Sequence, residues 1–510
     1  MALSDRVIDP VEAACGHKLF ANHNDFEFIE TSEPLTDNPL KFDGLNKLLT
    51  QYGQQHVLQH WSQLDPEQQV NLAEQLSSID LAELASLVSG QDEPTDFSAL
   101  ASRASSPPAV RADGSGSDWS PAQARERGEE ALSNGELGAV IVAGGQGTRL
   151  GFDRPKGMFP IGPVSGRTLF QFFADRLLAV NEKYGCRIPL YIMTSDATDQ
   201  ETREYFAANE NLGVPAEDLY IFKQGVMPAV DAATGKLLME SKSSLALSPD
   251  GHGGTVAALD RWGCLDDAAK RGIHHLAYIQ VDNPLAHLCE PELIGHHLMA
   301  DSEMTTQVVQ KRYPMEKVGN VVLVDGQVQI IEYSDLPEPA AEAVNEDGSL
   351  RLWAGNIAVH LFNLNFLRRV AGQDDSLPFH RAFKKVPYFD EQGQLVSPAQ
   401  PNATKFERFI FDLLPIAKNA FVVESHAIEA FAPVKNADGA ETDTPNAAKK
   451  AIVDLHRRWL EQSGVCVDQG VQVEINPRLA LTVSDLQEKI VANLLIDSDR
   501  YFDTQLESRE

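Results

Sequence analysis

This chain of 510 residues has few cysteines and no long apolar run. Its five cysteines are scattered and lack any C-x-x-C spacing, which argues against a disulfide framework and against a zinc site. The first residues contain no apolar segment of a signal peptide, and no stretch approaches the roughly 18 apolar residues of a membrane span. These features predict a cytoplasmic protein with no membrane partner.

Basic residues are also few relative to acidic ones. The 43 Lys and Arg residues face 74 Asp and Glu residues, which gives a net charge of -31. A surface of this charge repels polyanions, so nucleic acid is not an expected partner. A small anion such as a nucleotide can still bind where cations and backbone amides converge locally.

The chain is long enough for about three folded units at a prior of roughly 150 residues per domain. Residues 1–100 form the first predicted unit, which is helical from about residue 45 and carries a cap and first-turn proline at Asp65-Pro66. A Ser- and Pro-rich linker at 101–125 follows. We predict a catalytic domain at 126–425 and a small C-terminal domain at 426–510.

Apolar, β-branched runs alternate with amphipathic helical stretches in the predicted catalytic domain. The runs at 139–142, 189–193 and 276–281 read as buried strands, and a helix is expected near 168–184. Strand and helix in alternation predict an α/β fold with a mainly parallel sheet that helices cover on both faces.

Three glycines, Gly144, Gly145 and Gly147, follow directly after the first of these strands. Glycines there let backbone amides approach phosphate oxygens, and ligands bind at the carboxyl ends of such strands. The dinucleotide pattern G-x-G-x-x-G would need glycine where Leu150 stands, and the Walker pattern is absent. Arg149 and Lys156 would suit a triphosphate, although a tight turn with two solvated cations gives the same pattern.

The segment from Ala143 to Gly151, together with Pro155-Lys156-Gly157-Met158, resembles the signature of the eukaryotic-type UDP-sugar pyrophosphorylases, in particular the UDP-N-acetylglucosamine branch. The resemblance covers about residues 45 to 490. It implies a GT-A-like Rossmann catalytic domain between smaller N- and C-terminal pieces. It also implies that the glycine loop binds UTP.

The same resemblance implies roles for individual residues. Nucleotide-binding positions are Ala143, Gly144, Gly145, Gly147, Thr148, Gln224, Gly251 and His252. Gln224 is similar to the family glutamine that recognises the uracil edge, for which an amide offers a donor and an acceptor. His252 departs from the asparagine typical of the N-acetylglucosamine branch and looks more like the UDP-glucose and broad-specificity branches.

Asp282 ends the predicted strand at 276–281, where a carboxylate can hold Mg²⁺; a turn cap is the alternative. The resemblance implies sugar-binding roles for Gly253, Glu332, Asn356 and Lys405. It also implies that Arg149, Lys156 and Lys435 are catalytic and grip the phosphates. Without the resemblance, the residues assigned to the sugar and the phosphates would be interpreted as turn residues, strand-edge residues or solvated side chains.

The sequence therefore predicts a magnesium-dependent uridylyltransferase that joins UTP and a sugar 1-phosphate, releasing pyrophosphate. The expected product is UDP-N-acetylglucosamine or UDP-N-acetylgalactosamine. A UDP-glucose or broad-specificity enzyme is the alternative that His252 favours. A non-catalytic nucleotide-sugar sensor would not need the cations at 149, 156 and 435, and a nicotinamide oxidoreductase is disfavoured by Leu150. The pattern does not determine the oligomeric state.

Overall fold

A nine-stranded sheet forms the centre of the protein. The computed structural model describes residues 41–90, 96–373 and 377–504. The strands are β1 (Leu137–Val142), β2 (Leu190–Thr194), β3 (Leu219–Lys223), β4 (His275–Gln280), β5 (Met304–Gln310), β6 (Asn320–Val324), β7 (Gln327–Ile331), β8 (Ala354–Asn363) and β9 (Ala420–Ser425). Their order is β7-β6-β8-β4-β1-β2-β3, and β5 pairs with both β8 and β9.

The four neighbours β3, β2, β1 and β4 run parallel, so their carboxyl ends meet at one edge. This arrangement confirms the predicted α/β class and the parallel sheet around the glycine loop. Strand β8 runs antiparallel to β4 and to β5, which the apolar pattern did not reveal. The sheet thus continues past β4 and carries further loops toward the same edge.

Helices cover both faces because every second residue of the strands points to the same side. In β1, Ala139 and Ile141 belong to one apolar core, whereas Val140 belongs to the other. The first face packs helices Pro121–Ser133, Leu169–Tyr184 and Pro291–Met299; the second packs Thr255–Arg261, Cys264–Lys270 and Leu364–Ala371. Helix Asp199–Ala208 lies between β2 and β3 in the chain.

Among the described residues five α-helices precede the sheet in the chain, and the first four are Phe42–Gln51, Pro66–Ser77, Leu81–Ser89 and Phe97–Arg103. The predicted cap is confirmed, because the Asp65 carboxylate accepts a hydrogen bond from the backbone N–H of Gln68. The apolar side chains of the first three helices share one core with short strands inserted after β3 and β8, among them Val230–Asp231, Met239–Ser241 and Ala403–Glu407, whereas helix Phe97–Arg103 packs against β6 and β7. The first 40 residues of the predicted N-terminal unit lie outside the described residues.

The Ser- and Pro-rich segment at 101–125 is attached to the sheet through its backbone. The N–H of Ser105 donates to the carbonyl of Leu323, and the N–H of Leu323 donates in return to Ser105. Val110 is buried and exchanges backbone hydrogen bonds with β9. Arg111 pairs with Glu424 at 2.6 Å. Backbone pairing therefore holds this segment against the sheet, and Val110 packs into the core on one face of it.

The C-terminal part consists of helices Pro445–Gln462 and Val483–Lys489 with two strand pairs, Cys466–Val467 with Leu495–Ile496 and Val473–Ile475 with Arg500–Phe502. The start of the first helix packs into the core of the sheet, and its end packs into a separate small core. Residues 505–510 of the predicted domain lie outside the described residues. Across the described ranges, no helix is both long and apolar enough to cross a membrane.

Candidate active site

The glycine loop closes on itself at the end of β1. The N–H of Gly147 donates to the carbonyl of Arg154 at 2.9 Å, and the N–H of Lys156 donates to the carbonyl of Gly145 at 3.0 Å. Between these contacts a short 3-10 turn ends at Gly151, whose φ of 71° lies in the left-handed region that favours glycine. The closure places Lys156 beside the loop.

The glycines of the loop differ in what surrounds them. A Cβ on Gly147 would lie 2.6 Å from the carbonyl oxygen of Phe152, so this position must be glycine for the loop to close. A Cβ on Gly144 would lie 3.2 Å from Oε1 of Gln224, whereas one on Gly145 would have nothing within 4 Å. The loop therefore turns Gly145 toward open space and Gly144 toward Gln224.

Gln224 follows β3 and is held by its backbone N–H, which donates to the carbonyl of Thr194 at 2.9 Å. Its amide lies against Gly144, although the two residues belong to different βα loops. The hydroxyl of Ser195 donates to the carbonyl of Gly144 at 2.7 Å and fixes the loop from the β2 side. Two of the predicted nucleotide-binding segments therefore meet at one edge of the sheet.

The second glycine turn is fixed to the segment that follows strand Ala403–Glu407. The N–H of Gly253 donates to the carbonyl of Arg408 at 2.8 Å, and the N–H of Arg408 donates to the carbonyl of Asp250 at 2.7 Å. Gly251 has a φ of 87°, and a Cβ there would lie 2.4 Å from the carbonyl oxygen of Arg408. Glycine is required here by close packing as well as by conformation.

His252 lies in an aromatic cluster. Its ring stacks on Phe409 at a centroid distance of 5.3 Å, and its Nδ1 accepts the backbone N–H of Ile410 at 3.1 Å. Burial, together with the nearby charge of His380, lowers the pKa of His252 to about 4. The ring is thus neutral at pH 7, and since Nδ1 accepts, Nε2 carries the hydrogen. Sequence reasoning named this residue but not its protonation state.

Asp282 follows β4 and meets Lys156. Its Oδ2 lies 3.8 Å from Nζ of Lys156, and both side chains are mostly buried. The carbonyl of Asp282 accepts the N–H of Val434 at 2.8 Å, which fixes the residue just before Lys435 to the same strand end. The predicted metal ligand and one predicted phosphate-gripping lysine are therefore in contact, and the segment bearing the other is tied to them.

The predicted sugar-binding residues Glu332 and Asn356 meet around Gly319. A Cβ on Gly319 would lie 3.0 Å from Oε1 of Glu332, and the N–H of Asn356 donates to the carbonyl of Gly319 at 2.8 Å. Burial and the charge of Asp335 raise the pKa of Glu332, while Lys435 acts in the opposite direction. Lys435 therefore lies within electrostatic range of the predicted sugar pocket.

Among the described residues, no side-chain partner fixes three of the predicted site residues. Lys405 lies in strand Ala403–Glu407 opposite Ala382 and makes no side-chain hydrogen bond or ion pair within the described ranges. Arg149 and Thr148 are exposed in the 3-10 turn of the glycine loop. The geometry places Arg149 on the loop but does not hold it against Asp282.

A histidine and aspartate pair at the sugar side was missed from the sequence. Nε2 of His380 lies 2.7 Å from Oδ2 of Asp412, and the His380 ring stacks on Phe409 at 4.3 Å. Burial opposes the charged form of His380, but the hydrogen bond and charge of Asp412 raise its pKa overall. No local pattern announces this pair, because its members lie on different segments.

Asp250 lies beneath the second glycine turn and was also missed. Its carboxylate is buried, and a Cβ on either Gly225 or Gly254 would come within 2.4 Å of it. Burial raises the pKa of Asp250 to about 6, with Arg408 opposing the shift. Its Oδ1 has no hydrogen-bond partner among the described residues. The carboxylate separates the Gln224–Gly225 segment from the second turn.

The amino-acid sequence that forms this site matches known proteins. The model of the UDPGP family, described as UTP-glucose-1-phosphate uridylyltransferase, matches residues 121–482. The chain belongs to this family. It is 37% identical over 431 residues to UDP-N-acetylhexosamine pyrophosphorylase-like protein 1 of Xenopus tropicalis, covering 81% of this chain and 83% of the relative.

Two further relatives agree with the family assignment. The UDP-N-acetylglucosamine pyrophosphorylase of Saccharomyces cerevisiae is 36% identical over 368 residues, which is 71% of this chain and 77% of the yeast protein. The crystal structure of the corresponding enzyme of Trypanosoma brucei superposes with a TM-score of 0.76 at 25% identity, covering 91% of this chain and all of that one. The resemblance drawn from the glycine loop is confirmed.

Proposed function

We propose that this protein is a uridylyltransferase that makes a UDP-N-acetylhexosamine and pyrophosphate from UTP and the sugar 1-phosphate. The observation that carries the proposal is the contact between Lys156 and Asp282 beside an open glycine loop, with Lys435 tied to the same strand end. The sugar rests on the relatives, which are named for N-acetylhexosamine and N-acetylglucosamine substrates.

Mg²⁺ fits the donor set at the end of β4. Mg²⁺ is commonly held by one or two carboxylates and completes its shell with substrate phosphates and water. No group of three or more His, Cys, Asp or Glu side chains suited to a metal is found within the described ranges. Asp282 would thus hold the ion in company with the nucleotide. When bound, the ion would neutralise phosphate charge and polarise a phosphoryl oxygen.

The residues of the site position and neutralise charge, and none needs to act as a nucleophile. An oxygen of the sugar phosphate attacks the α-phosphorus of UTP, and the bond from that phosphorus to the pyrophosphate oxygen breaks. The amides of the glycine loop and Lys156 bind the nucleotide phosphates, and Lys435 binds the phosphate of the incoming sugar. Gln224 offers a donor and an acceptor to the uracil edge.

In this proposal Glu332 and Asn356 face the sugar, and the protonation of His252 limits which hydrogen bonds it can make to the sugar. The Glu332 carboxylate accepts from hydroxyls, and the Asn356 Oδ1 is already engaged by the N–H of Ala358 at 3.0 Å. His252 offers a fixed Nε2–H donor, because its Nδ1 is occupied. Since a hydroxyl and an acetamido oxygen both accept from such a donor, glucose 1-phosphate remains the second candidate substrate.

The test measures pyrophosphate release from UTP and Mg²⁺ with the 1-phosphates of N-acetylglucosamine, N-acetylgalactosamine and glucose. We expect release with at least one N-acetylhexosamine 1-phosphate, faster than with glucose 1-phosphate. A preference for glucose 1-phosphate would favour the second candidate. Binding of UDP-sugar without release from any substrate would indicate a sensor and contradict the proposal. The scattered cysteines further support a cytoplasmic location, which cell fractionation would test.

A further inference from the structure

A cavity of about 320 Å³ lies between the sheet and the C-terminal part. We call it the rear cavity and define it by Arg176, Tyr184, His287, Gln307 and Trp459. None of its lining residues is among those assigned above to the nucleotide, the sugar or the metal. Its size suits a small organic molecule.

Arg176 brings an uncompensated positive charge to this cavity. Its Nη1 donates to the backbone carbonyls of Leu285 and Ala286, while Nε and Nη2 have no partner among the described residues. No carboxylate lies within 4.0 Å of its guanidinium in the part of the chain that the structure describes. Burial lowers the pKa of Arg176 to about 10, so the group stays charged at neutral pH. Arg176 is half-buried, and a charge in such a place is normally paired or hydrogen-bonded.

The acidic groups around the cavity do not supply that counter-ion, because most are engaged elsewhere. Glu290 accepts the N–H groups that begin helix Pro291–Met299, and Glu429 is exposed at the rim. The remaining charged groups of the wall form pairs at 2.6 to 2.9 Å: Arg125 with Glu292, Lys183 with Asp485, and Glu424 with Arg111.

Gln307 gives a second, independent indication of a ligand. Its side chain is 4% exposed and lines the cavity, and its Oε1 has no hydrogen-bond partner among the described residues. Its Nε2 donates to the hydroxyl of Ser425 at 2.6 Å. Buried amides are normally satisfied, so a polar group from outside the chain is expected beside it. Tyr184 and Trp459 add aromatic surface to the same walls.

We propose that the rear cavity is a second ligand site, which takes a small organic anion: a carboxylate or phosphate on a flat, largely apolar body. The anionic group would receive the free N–H groups of Arg176, whose planar fork matches either oxyanion. The body would lie along Tyr184 and Trp459, and a donor on it would satisfy Gln307.

The cavity also adjoins the segments that carry the active-site charges. Ala430 lines it, and the carbonyl of Ala430 accepts the side-chain amide of Asn283 at 2.8 Å. Asn283 follows Asp282, and Lys435 lies a few residues beyond Ala430. If the proposed function holds, a ligand in the rear cavity affects the segments that carry both the metal ligand Asp282 and the phosphate-binding Lys435. The binding test below does not depend on that function.

The test is isothermal titration calorimetry of the full chain with benzoate and with phenyl phosphate, and with benzyl alcohol as the neutral probe. The two anions distinguish a carboxylate from a phosphate site. We expect saturable binding of at least one anion and none of the alcohol. Because charge-assisted hydrogen bonds are among the stronger ones, Arg176→Gln should weaken binding about tenfold or more.

Two further variants keep the test decisive if Arg176→Gln disturbs folding. Gln462→Trp obstructs the exposed rim and leaves the contacts of Arg176 intact, so it should also weaken binding at least about tenfold. Arg103→Gln removes an exposed arginine that does not line the cavity and should leave binding unchanged. Failure of both anions to bind, equal binding of benzyl alcohol, or unchanged affinity in Arg176→Gln and Gln462→Trp would overturn the proposal.

Discussion

Replacing Lys156 with methionine removes one positive charge and keeps most of the apolar stem. Nζ of Lys156 lies 3.8 Å from Oδ2 of Asp282, and the two side chains are 18% and 16% exposed. At that distance two unit charges interact by roughly 4 kcal/mol at an effective dielectric constant of about 20. Phosphate charge in the same place would be stabilised to a similar extent.

The loss of one preorganised group of this kind typically lowers turnover about 10²- to 10³-fold. We therefore expect kcat/KM for pyrophosphate release to fall by that factor in Lys156→Met. Both side chains are mostly buried, and removing one partner of such a pair typically costs about 3–5 kcal/mol of unfolding free energy, so turnover is compared at a temperature where circular dichroism shows the variant folded.

The matched control is Lys450→Met, since Lys450 is 74% exposed and pairs only with Asp454 on the same helix. Its turnover should equal that of the unmodified protein. Turnover of Lys156→Met within about threefold of normal would refute this role, because a lysine that stabilises the reaction by about 3 kcal/mol cannot be removed with so small an effect.

Three further predictions concern pH, the sugar and the fold. The pKa of His252 falls from 6.5 to about 4 on folding, so the unfolded state binds more protons in this window and stability falls as pH falls through it. Between pH 7.5 and pH 5, the free energy of unfolding measured in urea should fall by about 2 kcal/mol less in His252→Asn than in the unmodified protein. An equal fall in both proteins would contradict the assignment. Glu332→Gln should raise KM for the sugar 1-phosphate about tenfold in steady-state assays; a rise confined to KM for UTP would argue against its role. A Cβ on Gly295 would lie 1.6 Å from a carbonyl oxygen of the facing helix, so Gly295→Ala should lower the unfolding free energy by about 2 kcal/mol or more, and unchanged denaturant curves would count against the packing.

Local features of the site were predictable from the sequence because they depend on neighbouring residues. The glycine loop follows a buried strand, and its closure brings Lys156 back to Gly145 within the same segment. The cap at Asp65 and the parallel strands that alternate with helices are local patterns as well. For these features spacing along the chain is equivalent to spacing in the structure.

Long-range features required the structure. Residues His380 and Asp412 become a pair only because strand Ala403–Glu407 returns beside His380–Lys384. The Ser- and Pro-rich segment is held through backbone groups, which composition does not report. Likewise, nothing in the sequence shows that Arg176 has no counter-ion among the described residues, since that depends on the partners of every acidic group nearby.

The uridylyltransferase activity can be followed directly by ³¹P NMR of the protein with UTP, Mg²⁺ and N-acetylglucosamine 1-phosphate. We expect UDP-sugar and pyrophosphate to appear together in equal amounts, and both to be strongly reduced in Lys156→Met. Pyrophosphate formed without UDP-sugar, or no reaction with any sugar 1-phosphate, would contradict it.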